Sequence, residues 1–132
     1  MLQTGDLIIK LSASMNIVVN CCHHSHGCLC QAVLGCERMG ASLATVNSQV
    51  EQDAVFSLTG SSGAWIGLTD FLNEGSFSWV DETVLSFTNF RSGQPNNGNN
   101  NQHCVWIRAD GTWDDVICQQ TKSYVCHKNA RP

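Results

Sequence analysis

Apolar residues recur along this chain with two different periods, and the change of period divides it. Ala32, Val33, Cys36 and Met39 fall at helical spacing, and Gly40 follows as a stop signal. Ser48-Gln49-Val50-Glu51 then has the form of a capping box, in which a serine and a glutamate satisfy the first free N–H groups of a helix. Behind it Val50, Ala54, Val55 and Leu58 predict the inward face of a second helix that ends near Gly60. From Gly63 the pattern shortens. Ala64-Trp65-Ile66-Gly67-Leu68 suits a buried strand, and Phe77-Ser78-Trp79-Val80 alternates as a second one. Cys104-Val105-Trp106-Ile107 and Trp113-Asp114-Asp115-Val116 flank Asp110-Gly111, a hairpin-turn signal, and Ser123-Tyr124-Val125-Cys126 reads as a last strand. Two helices followed by a strand-rich half predict an α+β domain. Trp65, Trp79, Trp106 and Trp113 all sit in the strand-like runs and are expected in the core, with Phe90 packing beside them.

Two stretches do not fit that pattern. Residues 1–30 carry two short apolar runs, Leu7-Ile8-Ile9 and Ile17-Val18-Val19, and then the cluster Cys21-Cys22-His23-His24-Ser25-His26-Gly27-Cys28-Leu29-Cys30. They are read as a divergent N-terminal segment preceding a domain over 31–132. The four cysteines suit two disulfides in any of three pairings; loose thiols or a Zn²⁺ or Cu⁺ site built with the histidines are the other readings. The second stretch is a polar loop from Phe90 to Gln102, with five asparagines between Asn96 and Asn101. Loops of that length inside a compact domain are usually functional or disordered.

Composition narrows the classes. The chain has 132 residues, 42% apolar, which suits one domain with a modest core, and its eight cysteines supply the cross-links that small secreted domains use. Charged residues are only 14% and the net charge is −4, so nothing favours nucleic acid as a partner. No apolar run approaches the roughly 20 residues of a membrane span. Asp6, Lys10 and Asn16 interrupt every candidate signal-peptide core, so an extracellular location is inferred from the cysteines. There is no Asn-x-Ser/Thr sequon.

The chemistry concentrates between Gln94 and Cys126. Gln94-Pro95-Asn96, Gln102 and Trp113-Asp114-Asp115 gather oxygen-bearing side chains around a proline and a later strand. Oxygen ligands in an irregular loop are what Ca²⁺ takes, since it accepts six to eight of them with loose geometry.

The order and spacing of these residues resemble the sugar-binding half of a C-type lectin-like domain. The likeness runs from Ala32 to Lys128 and includes the family's Trp-Ile-Gly-Leu core strand, matched by Trp65-Ile66-Gly67-Leu68. It implies two helices packed on antiparallel sheets, a long irregular binding loop, and two disulfides, Cys36–Cys126 and Cys104–Cys118. It also implies that Gln94, Asn96, Gln102, Asp114 and Asp115 hold one Ca²⁺ and bind carbohydrate, with Asp115 adding its backbone carbonyl and the bond before Pro95 in the cis form. Two carboxylates stand among these five, where mannose-binding members have three, so weak calcium binding is expected, in the range of about 10⁻⁴–10⁻³ M. Asp70 and Glu74 match the family's accessory calcium site, but Asn97 and His103 replace acids there, and no second ion is expected. Gln94-Pro95-Asn96 is a hybrid of the Glu-Pro-Asn associated with mannose-type ligands and the Gln-Pro-Asp associated with galactose-type ones.

The resemblance thus implies a secreted, calcium-dependent lectin binding glycans or glycoconjugates, with a role in innate recognition of microbes. The competing expectations on the same fold are a calcium-independent module for a protein partner and an ice-binding protein similar to type II antifreeze proteins. No nucleophile–base pair suggests an enzyme.

Overall fold

The computed structural model describes residues 7–11, 27–59, 62–71, 73–96, 101–120 and 122–128. The elements run β1 (Leu7–Leu11), α1 (Gly27–Glu37), β2 (Ser42–Leu43), α2 (Gln49–Thr59), β3 (Ala64–Thr69), β4 (Ser78–Trp79), β5 (Cys104–Ile107), β6 (Trp113–Val116) and β7 (Tyr124–Lys128). The strands join in the order β1-β7-β3-β5-β6, with β2 on β7 and β4 on β3. All pairings are antiparallel except β3 with β7, which meet in parallel at Trp65 and Tyr124. The α+β architecture expected from the sequence is the one observed.

Alternation along the strands sends side chains to two separate cores. Ala64, Ile66 and Leu68 of β3, Val105 and Ile107 of β5, Trp113 of β6 and Val125 of β7 pack on one face, together with Val55 of α2. Trp65, Cys104, Tyr124 and Cys126 pack on the other, against Leu29, Ala32 and Cys36 of α1. A strand whose neighbours point alternately to two covered faces has no polar side, and every residue of β3 is indeed buried. Both expected disulfides lie within the second of these cores. Cys36–Cys126 ties α1 to β7, and Cys104–Cys118 ties β5 to the segment after β6. Cys30 is disulfide-bonded as well. The apolar run Ile17-Val18-Val19 and the cysteines Cys21 and Cys22 lie outside the described residues.

The first strand spans Leu7–Leu11 and pairs with β7 over its full length. Helix α1 begins at Gly27, five residues before the first apolar position read as periodic, and the candidate strand at Phe77–Val80 shrinks to Ser78–Trp79.

Helix α2 departs further from expectation. The capping box forms in a shifted version: Glu51 N–H donates to Ser48 Oγ at 3.1 Å, while Glu51 Oε1 accepts from Asn47 N–H at 2.7 Å. Yet Val50 is 77% exposed and Leu58 also faces outward, whereas Glu51, Gln52, Val55 and Thr59 are buried. The helix is rotated because its polar residues meet polar needs in the core. Trp113 Nε1–H donates to Gln52 Oε1 at 2.9 Å, and Gln52 Nε2–H donates to the Gly111 carbonyl at 2.7 Å. Apolar side chains at positions 50 and 58 cannot supply those partners.

Trp113 is the hub of the second-helix core. Its ring lies edge-on to Trp79, Phe87 and Phe90, with centroids 5.7, 5.9 and 5.6 Å away. Such edge-to-face contacts suit the ring quadrupole. Trp65, Trp79 and Trp113 are core residues as expected. Trp106 differs: it is half-buried, and Lys122 Nζ sits 3.7 Å above its ring.

Candidate functional site

Strand β6 anchors the start of the long polar loop at three successive residues. The Trp113 N–H donates to the Asn89 carbonyl and the Arg91 N–H donates to the Trp113 carbonyl, both at 2.9 Å, making a short parallel bridge at Phe90. Arg91 Nη2 reaches Asp114 Oδ2 at 3.3 Å. The Asn96 N–H donates to Asp115 Oδ1 at 3.0 Å. Between these anchors the chain turns, with the Gln94 N–H on the Arg91 carbonyl at 2.9 Å and Gly93 at φ 86°. That left-handed conformation strains any side chain but glycine's. The Gln94–Pro95 bond is cis.

The loop residues Gln94 and Asn96 and the strand residues Asp114 and Asp115 are therefore neighbours, though 18 or more positions separate the pairs in sequence. Alternation in β6 places Trp113 and Asp115 on one face and Asp114 and Val116 on the other. Asp115 is 2% exposed. Gln102 is half-buried, two residues ahead of β5. Gln94 Oε1 is buried and has no hydrogen-bond partner, one of two such side-chain atoms among the described residues. An acceptor in that state costs about 1–3 kcal/mol until something binds it.

Arg91 belongs to this site and was not foreseen. It lies outside the Gln-Pro-Asn motif, and 23 positions separate it from Asp114. Only the register of the loop on β6 brings them together. Its side chain is 43% exposed and its guanidinium offsets the Asp114 charge, which brings the candidate site's net charge from −2 to −1. Lys122 adds a second cation near Asp114. Burial between Trp65 and Trp106 pushes the Lys122 ammonium below its ordinary pKa, and Asp114 pulls it part of the way back. Since Lys122 covers the Trp106 ring, that ring is closed to a sugar's apolar face.

A second cluster lies at the far end of β3. His103 Nδ1 is 2.9 Å from Asp70 Oδ1 and 3.2 Å from Glu74 Oε1. Asp70 is buried, and its Oδ2 accepts the Gly75 N–H at 3.0 Å. These are the residues matched to the family's accessory calcium site, and an imidazole stands among the carboxylates.

The sequence profile of the Lectin C-type domain family matches residues 29–128. This chain belongs to that family. Among curated relatives it is 40% identical to the chicken Hepatic lectin over 95 residues, 70% of this chain and 46% of that protein. It is 35% identical to the mouse Low affinity immunoglobulin epsilon Fc receptor over 101 residues, 76% of this chain and 30% of the receptor. The chain thus spans less than half the length of either relative. Among solved structures, the cow CD23 carbohydrate-recognition domain, solved in the presence of a GlcNAc2Man3 oligosaccharide, superposes with TM-score 0.80 at 28% identity, covering 99% of this chain and 92% of that one. A calcium-independent type II antifreeze protein superposes with TM-score 0.78 at 22% identity, covering 98% and 90%, and shares the fold alone. Among the described residues no helix is long and apolar enough to cross a membrane.

The exposed Arg91–Asp114 pair of this lectin domain leads to one prediction. A guanidinium beside a bound cation repels it, so if Asp114 ligates calcium as the family resemblance implies, Arg91→Gln is expected to tighten calcium about threefold to fivefold, the ~0.5–1 kcal/mol scale of exposed ion pairs. Isothermal titration of both proteins checks it. Equal affinities would remove Arg91 from the site's electrostatics.

Proposed function

We propose that this domain binds glycans outside the cell through one Ca²⁺ held by Gln94, Asn96, Gln102, Asp114 and Asp115. The observation that carries the reading is the buried, partnerless Gln94 Oε1 on a loop whose next anchor is the buried Asp115 carboxylate. A buried amide oxygen with no donor among the described residues suits a hard cation. When bound, the ion supplies a Lewis-acidic centre for the lone pairs of two vicinal sugar hydroxyls.

The protein residues then select the sugar. Carboxylates accept hydrogen bonds from hydroxyl protons and amides donate to hydroxyl oxygens. Gln94 and Asn96 both bring amides, so their N–H groups meet hydroxyl oxygens, while Asp114 and Asp115 accept. Arg91 leaves N–H donors at the rim for a hydroxyl or an acidic group. The site recognises and does not turn over, because its acids serve as ligands. Recognition of microbial surface glycans is the physiological role that fits such a site on a disulfide-linked domain.

One observation favours a second reading, an ion-free module for a protein partner. Arg91 already places a positive group on Asp114, which weakens the case for a cation there. A calcium titration of metal-stripped protein, followed by tryptophan fluorescence, decides between them. Trp113 adjoins both aspartates, so saturable quenching or enhancement, reversed by a chelator, is the expected result. A flat titration with near-ultraviolet circular dichroism unchanged would retire the calcium site. In that event glycan arrays with chelator present and a thermal-hysteresis measurement separate protein, glycan and ice binding.

A further inference from the structure

We infer that Asp70, Glu74 and His103 form a binding site for a transition-metal dication, with Zn²⁺ as its best-fitting occupant. The three donor atoms all lie within 4.8 Å of one another. The separations from His103 Nδ1, 2.9 Å to Asp70 and 3.2 Å to Glu74, are already close to the spacing a metal imposes. Ligands about 2.0–2.1 Å from a tetrahedral zinc stand roughly 3.3–3.4 Å from each other. The two pairs that include His103 need only draw apart by a few tenths of an ångström.

The fold prepares this geometry. The pairing of Thr69 with Cys104 brings the end of β3 beside the residue before β5, and the Asp70 N–H donates to the His103 carbonyl at 3.2 Å. Gly75, at φ 83°, lets the chain turn back so that its N–H holds Asp70 Oδ2 while Oδ1 faces His103. A carboxylate oriented in this way by an outer hydrogen bond is a usual feature of metal ligands. Asp70 is buried, but His103 and Glu74 are 30% and 54% exposed, so a fourth position opens to water.

The donor set discriminates against calcium. Ca²⁺ takes oxygen ligands, six to eight of them, and an imidazole nitrogen is a poor substitute. Nitrogen with carboxylate oxygen suits zinc and its neighbours in the first transition row. Two carboxylates also match the charge of a dication. None of the five residues proposed for the sugar site takes part, so this inference stands whether or not that site binds calcium.

The test uses the whole chain, metal-stripped with its disulfides intact and titrated with ZnCl₂ in the presence of millimolar calcium. Isothermal titration and the ¹⁵N signals of the histidine side chains are read together. One saturable event is expected that moves the His103 Nδ1 resonance, and His103→Ala should weaken it at least about tenfold. Because His23, His24 and His26 offer competing nitrogens, a variant with all three changed to Gln is titrated alongside, and it should keep the His103 event. His103→Asp should lose zinc while remaining folded. Superimposable zinc isotherms for wild type and His103→Ala, or His103 signals unmoved by excess zinc, would overturn the assignment. So would zinc binding that disappears with the three upstream histidines.

Discussion

Asp115→Asn is expected to abolish calcium-dependent glycan binding while leaving the domain folded. Asp115 is the buried carboxylate that meets the binding loop, and its Oδ1 holds the Asn96 N–H at 3.0 Å. An asparagine oxygen can accept the same hydrogen bond, so the loop keeps its anchor and the melting temperature should fall by no more than a few degrees. The charge, however, is gone. Two carboxylates already mark this as a weak site, and removing one leaves Asp114, which Arg91 neutralises at 3.3 Å. Calcium affinity of such sites follows ligand charge over several decades. The variant should therefore bind calcium about one to two decades more weakly, beyond useful concentrations. Fluorescence titration and a glycan array, with and without chelator, read the two losses separately. Glycan binding that persists in Asp115→Asn would sink the proposed mechanism.

The second large effect belongs to stability. Gln52→Leu is close to Gln in size and should pack, but it removes both hydrogen bonds that tie α2 to the β6 turn. The Gly111 carbonyl keeps the Asn89 Nδ2–H at 2.9 Å. Trp113 Nε1–H keeps nothing that is seen to replace Gln52, and the indole is fully buried. A buried donor stripped of its partner costs about 1–3 kcal/mol, and the lost Gln52–Gly111 bond adds about 1 kcal/mol. A total of about 3 kcal/mol lowers the melting temperature by about 10 °C in a domain of this size. Differential scanning calorimetry measures it, with Val50→Leu as the control. Val50 is 77% exposed, so that change should have an effect within about 0.5 kcal/mol. If Gln52→Leu melts with the wild type, Trp113 has found another acceptor and the buried polar contact is not what orients α2.

These two residues also show where sequence reading reaches and where it stops. Asp115 was legible because its motif, Trp-Asp-Asp beside a hairpin signal and a cysteine, is local. The glutamine of α2 was not. Its hydrophobic pattern pointed to Val50 and Leu58 as the inward face, because apolar periodicity assumes that a core asks only for apolar surface. This core contains an indole N–H and a turn carbonyl, and a polar residue answers them. Trp106 was read as core from its strand, and the strand was right. Lys122, 16 positions later, reaches back over its ring and keeps it half-buried.

The candidate site divides in the same way. Gln94, Asn96, Gln102, Asp114 and Asp115 could be proposed from the family resemblance, since a family's ligand set is carried by short motifs. That Arg91 joins Asp114 could not, because no local signal links positions 23 apart. The resemblance also grouped Asp70, Glu74 and His103, and the structure adds their distances, which depend on the end of β3 lying beside the start of β5.

By itself the sequence determined the α+β class, the helices and most strands, and the lectin-domain family, and its resemblance to that family supplied five candidate ligands. All of these rest on periodicity within an element or on motifs a few residues long, where chemistry is read directly from neighbours. Only the tertiary structure decided which face of α2 is buried, which cation sits on Asp114, that Gln94 Oε1 lacks a partner among the described residues, and how closely His103 approaches two carboxylates. Each of those depends on the register between strands far apart in the chain. Register is set by the packing of two whole cores against one sheet, and no single segment carries it.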